Sequence, residues 1–153
     1  MLGIETLKGE DVPNPFSPIK MPSFTLTPNL DFRVVIMGVS GSGKTTVGQA
    51  LAQAMGVLFR DGDDLHPAAN VEKMRAGQPL SDEDRWGWLE LVANSLRRDA
   101  PVIIACSALR RAYRDHIRAG AGTDVRFVYL EGARDVISAR MANRTHQFMP
   151  PHL

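Results

Sequence analysis

Residues 38–45 read Gly38-Val39-Ser40-Gly41-Ser42-Gly43-Lys44-Thr45, a full match to the spacing G-x-x-x-x-G-K-[ST]. The residue types dictate the chemistry. Glycines let the backbone turn so that successive N–H groups point at phosphate oxygens, and a helix starting here adds its positive end. Lys44 is expected to reach the β- and γ-phosphates and the Thr45 hydroxyl to bind Mg²⁺, which makes ATP with Mg²⁺ the expected ligand. Thr46 completes the expected nucleotide-binding set. A second group is acidic, Asp61-Gly62-Asp63-Asp64. Proteins with this loop usually hold the metal with an acidic residue at the end of a further strand. The apolar run Val102-Ile103-Ile104-Ala105-Cys106-Ser107 offers none, so the carboxylates must come from 61–64. One can orient Mg²⁺ through water, and another can accept a proton from an attacking hydroxyl.

These groups need a frame, and the pattern from Phe32 onward supplies one. Phe32–Met37 is β-branched and stops at a glycine, the mark of a buried strand. Thr45–Met55 carries Val47, Ala50, Leu51 and Ala54 at helical spacing, with Gly56 as a stop. Val57–Arg60 reads as a strand, and Pro67–Ala76 as a helix with proline in its first turn. Ser81 and Asp84 form a capping-box pair that opens a helix running to about Asp99. Val102–Cys106 is a strand, Arg110–Ala119 a helix, Val125–Leu130 a strand and Ala133–Ala142 a helix. This order predicts an α/β fold, a parallel sheet with helices on both faces. In such a sheet the carboxyl ends of the strands face the ligand crevice, which sets Asp61 and Asp63 beside the glycine loop.

Length and composition bound the rest. The 153 residues suit one domain. Half of the ten prolines fall in residues 1–31, which therefore reads as a proline-rich arm, mostly disordered or an irregular strap, ahead of a domain over 32–153. A net charge of +1 speaks against a nucleic-acid partner. No apolar run approaches the ~18 residues of a membrane span, and the arm resembles no signal or transit peptide. The expected setting is cytoplasmic, without a membrane partner. The lone cysteine, Cys106, excludes an internal disulfide and reads as a core residue. Charge is uneven: residues 1–96 hold eight basic and twelve acidic side chains, and residues 97–153 hold ten arginines and five acidic ones. That asymmetry suits an anionic ligand in a cleft.

Several stretches together are narrower than the glycine loop. Asp61-Gly62-Asp63-Asp64-Leu65-His66-Pro67, then Asn70, Lys73-Met74, Gly77, Pro79-Leu80, Asp82, Asp84-Arg85 and Trp88-Leu89 resemble the gluconokinase family. So do Cys106-Ser107-Ala108-Leu109-Arg110-Arg111, Tyr113-Arg114-Asp115 and Phe127–Leu130. The resemblance implies a P-loop kinase fold of the shikimate-kinase and nucleoside-monophosphate-kinase type. It implies transfer of the ATP γ-phosphoryl to the 6-hydroxyl of D-gluconate. Asp63 would contact the reacting hydroxyl and Asp61 a water on Mg²⁺. Asp63, His66, Asn70 and Ser107 would meet hydroxyls, and Arg85, Arg111 or Arg114 the carboxylate. Arg110, Arg111, Arg114 and Arg118 share one short helix and cannot all face the ligand. Arg140 and Arg144 stand where the resemblance sets lid arginines that stabilise charge on the transferring group. Dimers are common among such proteins, which leaves a homodimer open.

The sequence departs from the family in three places. Gln147 stands where the family has histidine, and Gly87 where it has proline before Trp88-Leu89. The chain also stops at Leu153, where family members continue, so the last strand and helix of the fold are expected to be missing. A weakly active phosphate-binding remnant, or a kinase for shikimate or a nucleoside monophosphate, is the competing expectation. The D-G-D-x-L-H-P and C-S-A-L stretches speak against the changed acceptor.

Overall fold

The computed structural model describes residues 31–122 and 124–142. The proline-rich arm expected over 1–31 lies outside them apart from Asp31. Four parallel strands, β1 (Arg33–Met37), β2 (Leu58–Asp61), β3 (Val102–Ala105) and β4 (Arg126–Tyr129), stand in the order β2-β3-β1-β4. The register pairs Val35 with Ile104 and Phe127, and Asp61 with Ala105. Helices α1 (Lys44–Met55), α2 (Ala68–Arg75), α3 (Asp82–Arg98), α4 (Arg111–Ala121) and α5 (Arg134–Ala142) follow the expected alternation. A turn of 3-10 helix at Gly62–Leu65, which hydrophobic periodicity did not indicate, joins β2 to α2.

Both faces of the central strands β1 and β3 are covered, whereas β4 is largely exposed among the described residues, Tyr129 at 54%. On one face Val35, Val102 and Ile104 pack with Leu89, Val92 and Leu96 of α3 and Ile117 and Ala121 of α4. On the other, Val34, Ile36 and Ile103 meet Ala52 of α1, with Leu51, Met55 and Phe59 around them. Fully buried side chains of this size contribute about 1.5–3 kcal/mol each. Cys106 is buried against this core and burial pushes its thiol up to about 12, so it is a packing residue as expected. No helix among the described residues is long and apolar enough to cross a membrane.

The buried stripe of α1 differs from the expected one. Val47 is 41% exposed and Ala50 and Ala54 are exposed, whereas Gly48 and Ala52 are buried. Close approach wins over side-chain size here: a Cβ at Gly48 would lie 2.5 Å from the Phe59 ring. The helix therefore sits down on β2 through its smallest residues.

The α3 start is the expected capping box. The Asp84 N–H donates to Ser81 Oγ at 3.2 Å, and the Ser81 N–H donates to Asp84 Oδ2 at 2.9 Å. The same carboxylate takes the Lys73 ammonium at 2.8 Å and so ties α2 to α3. Lys73, followed by Ser81's N–H, holds Asp84 down at about 2.

Candidate active site

The order β2-β3-β1-β4 sets the loop after β1 and the turn after β2 on either side of the carboxyl end of β3. Between them β3 ends in Ala105-Cys106, small residues with no carboxylate. Gly62 is buried directly over that end, where a Cβ would lie 2.5 Å from the Ala105 carbonyl oxygen. Only glycine lets the β2 turn lie across β3, which brings its aspartates to the glycine loop. Gly62→Ala is expected to cost about 1–3 kcal/mol of stability through overpacking and to displace both aspartates. Urea unfolding with an unchanged midpoint would contradict this packing.

The result is a direct contact that spacing could not reveal. The Thr45 hydroxyl donates to Asp61 Oδ2 at 2.9 Å, and Asp61 Oδ1 accepts the Asp63 N–H at 3.0 Å. Asp61 thus caps the 3-10 turn and faces the first residues of α1 at once. The charges of Asp63, Lys44 and Asp61 all bear on the Cys106 thiol, so the three converge at the end of β3. The Lys44 ammonium donates to the Val39 carbonyl at 3.0 Å and arches over the loop. Gly43, the cap of α1, contributes no side-chain bond to the helix start, and the first turn holds no acidic residue. A helix start without a side-chain cap suits an anion. Ser42 Oγ, inside the loop, is buried without a hydrogen-bond partner among the described residues.

That donor set fits a phosphate chain carrying Mg²⁺. A magnesium ion keeps several waters and takes one or two protein oxygens beside the phosphates. Thr45 and Asp61 supply two, and the orphaned Ser42 hydroxyl and uncapped helix start fit phosphate oxygens. No cluster of three His, Cys, Asp or Glu side chains that could hold a metal by themselves occurs among the described residues.

Helix α5 lies on the same loop. A Cβ built at Gly41 would come 2.9 Å from Met141 Cγ, and one at Gly43 would have Arg140 Nη1 as its neighbour at 3.9 Å. Ile137 and Met141, one turn apart, seat the helix and carry the Arg140 guanidinium to the loop. Arg144 lies outside the described residues.

A second cluster borders the 3-10 turn. His66 stacks on Trp88 with centroids 4.2 Å apart and planes 16° apart. The Trp88 indole N–H donates to the Gly62 carbonyl at 2.7 Å. Asn70 is buried, and its Nδ2 lies 2.9 Å from the Asp84 carbonyl oxygen and 3.3 Å from His66 Nδ1. Arg85 donates to the Tyr113 hydroxyl at 3.2 Å and is close enough to influence His66. Tyr113 in turn donates to Asp82 at 2.7 Å, where Arg110 also binds through both oxygens.

The two remaining arginines of the expected substrate set have other partners. Arg114 donates to the Ala108 and Leu109 carbonyls at 3.0 and 2.7 Å. It braces the loop carrying Ser107, where Ala108 holds a φ of 31° that alanine adopts only under constraint. The Arg111 side chain is 88% exposed and pairs with Asp115 in its own helix at 3.7 Å. Sequence reading missed the Lys73–Asp84 tie, the His66–Trp88 stack and the Asp82–Tyr113 contact. Each joins residues on different elements, where no periodicity signals a contact.

Burial, followed by the nearby Arg85 charge, pushes His66 down from 6.5 to about 4. The folded state therefore refuses a proton that the unfolded chain accepts. The stability involved is fully present above pH 6.5 and is lost progressively as pH falls toward 4. Asp84 and Asp99, each held at about 2 by Lys73 and Arg98 respectively, act only below their ordinary 3.8. The wild-type Tm is expected to fall between pH 6.5 and 4 more steeply than that of His66→Gln. Parallel curves would contradict it.

Comparison with known proteins follows the same lines. A family model described as an AAA domain matches residues 34–151. The chain is 46% identical over 120 residues to the thermosensitive gluconokinase of Escherichia coli, covering 76% of this chain and 64% of that protein. It is 44% identical to the gluconokinase of Gluconobacter oxydans, covering 78% and 69%. A crystal structure of a gluconokinase from Sinorhizobium meliloti superposes with a TM-score of 0.70 at 47% identity, covering 81% of this chain and 71% of that one. The chain thus spans roughly two thirds of the length of these relatives.

Proposed function

Since the chain belongs to the gluconokinase family of P-loop kinases, we propose that it transfers the γ-phosphoryl group of ATP to the 6-hydroxyl of D-gluconate. The single observation that carries this reading is the Thr45–Asp61 contact at 2.9 Å, which joins the phosphate loop to the turn bearing Asp63. A nucleotide on the loop and a hydroxyl on that turn would then share one crevice.

Each residue has a task the geometry allows. N–H groups from Gly38 to Thr45, with Thr46 behind them, bind the phosphates, and Lys44 draws negative charge toward the β- and γ-oxygens. Thr45 and Asp61 would hold Mg²⁺, Asp61 through water, and the ion would supply positive charge to offset that of the phosphates. Asp63 accepts the proton of the 6-hydroxyl as its oxygen attacks the γ-phosphorus and the bond to the β-bridging oxygen breaks. Arg140, seated over Gly43, stabilises charge on the transferring group, and Arg144 is proposed beside it. His66 and Ser107 serve the hydroxyls of the acceptor, and buried Asn70, its amide nitrogen on the Asp84 carbonyl and beside His66 Nδ1, serves them through His66. Arg85 is the arginine best supported for its carboxylate, since its charge bears on His66; it also binds Tyr113 and Asp82, whereas Arg114 is bonded to backbone carbonyls and Arg111 pairs within its own helix.

ADP release is the test, measured with purified chain, Mg-ATP and a panel of D-gluconate, shikimate and nucleoside monophosphates. Turnover with gluconate at a kcat/KM well above the others is expected. Equal or greater turnover with shikimate or a nucleoside monophosphate would overturn the acceptor assignment.

A further inference from the structure

We propose that Asn70 is a positioning residue that fixes His66 as the neutral tautomer protonated on Nε2, making His66 a hydrogen-bond donor to an oxygen of the acceptor. The role in binding rests on the reading above; the tautomer does not.

The geometry leaves one assignment. The Asp84 carbonyl oxygen can only accept, so the Asn70 atom 2.9 Å from it is the NH₂ group. The same nitrogen is 3.3 Å from His66 Nδ1, and a donor there requires a lone pair on Nδ1. The one ring hydrogen of neutral imidazole therefore sits on Nε2. Further contacts hold the three residues in place. Trp88 stacks beneath the ring and is itself anchored to the Gly62 carbonyl. Asp84 is fixed by the Ser81 capping box, and Lys73 binds its carboxylate. Nε2 has no hydrogen-bond partner among the described residues. Near the ring the first turn of α3 carries Asp82, Glu83, Asp84 and Arg85, α2 carries Glu72, Lys73 and Arg75, and the 3-10 turn carries Asp63 and Asp64. Arg85 bears on the ring and favours its neutral form.

A fixed donor has a consequence for selectivity. Asp63, as the proposed base, accepts a hydroxyl hydrogen, whereas His66 donates to an oxygen lone pair. The pair thus reads two oxygens of a polyol with opposite polarity. An acceptor lacking the second oxygen leaves the Nε2–H unpaired and binds less well.

The test has two independent readouts. Long-range ¹H–¹⁵N spectra of histidine-labelled protein are expected to show His66 with a bare Nδ1 and a protonated Nε2, unchanged from pH 8 to pH 5. Asn70→Asp puts an acceptor opposite Nδ1 and is expected to move the proton there or to charge the ring. It should also raise the acceptor KM by about tenfold with the ATP KM unchanged. A protonated Nδ1 in the wild type overturns the inference without any variant. So does Asn70→Asp that leaves both tautomer and acceptor KM unaltered. Absence of phosphorylation of any acceptor would instead sink the proposed function, and the wild-type spectra would still decide the tautomer.

Discussion

Lys44→Ala is expected to lower phosphoryl transfer by about a thousandfold, near the upper end of what losing one preorganised charge costs, with thermal unfolding unchanged. The ammonium packs into neither core cluster. It lies over the loop on the Val39 carbonyl, where its charge matters most as negative charge builds on the leaving oxygen. The KM for ATP should rise far less than kcat falls, because the loop N–H groups still bind the phosphates. Circular dichroism and a melting curve check the fold, and single-turnover kinetics isolates the chemical step. A folded Lys44→Ala protein with near-normal turnover would remove the loop from the mechanism.

Asp63→Asn is expected to lower kcat by about a hundredfold or more, the range for a positioned acid–base group. The amide keeps the shape of the turn, because the contact that shapes it is the Asp63 backbone N–H on Asp61. Asp61→Asn should act differently. Thr45 would lose its carboxylate partner, so the Mg²⁺ concentration needed for half-maximal rate should rise several-fold while saturating kcat falls less. A magnesium titration of both variants separates the two roles. Wild-type behaviour in both would remove the metal-and-base assignment from this turn.

Much of this site was legible in the sequence, for particular reasons. The glycine loop needs only its own backbone, so eight consecutive residues announce it. The need for carboxylates from 61–64 followed from an absence, since β3 ends in Ala105-Cys106. The capping box at Ser81 and Asp84 is local and formed as the spacing requires. What lies between elements was not legible. Gly62 fitting over the Ala105 carbonyl, Gly48 against Phe59 and Arg114 on the Ala108 carbonyl all depend on which strands become neighbours, and the order β2-β3-β1-β4 is not written in any local pattern. The same gap explains α1, where counting apolar residues chose Val47 over Gly48. Helical period gives a face, but only packing says which face comes closest.

The most direct measurement of the central claim is the position of the new phosphate. Purified chain is incubated with Mg-ATP and D-gluconate, and the products are read by ³¹P and ¹³C NMR. A phosphomonoester coupled to C6 of gluconate is expected, formed in step with ADP and about a thousandfold more slowly with Lys44→Ala. ADP accumulating with no phosphate on gluconate, or a phosphate at a carbon other than C6, would contradict it.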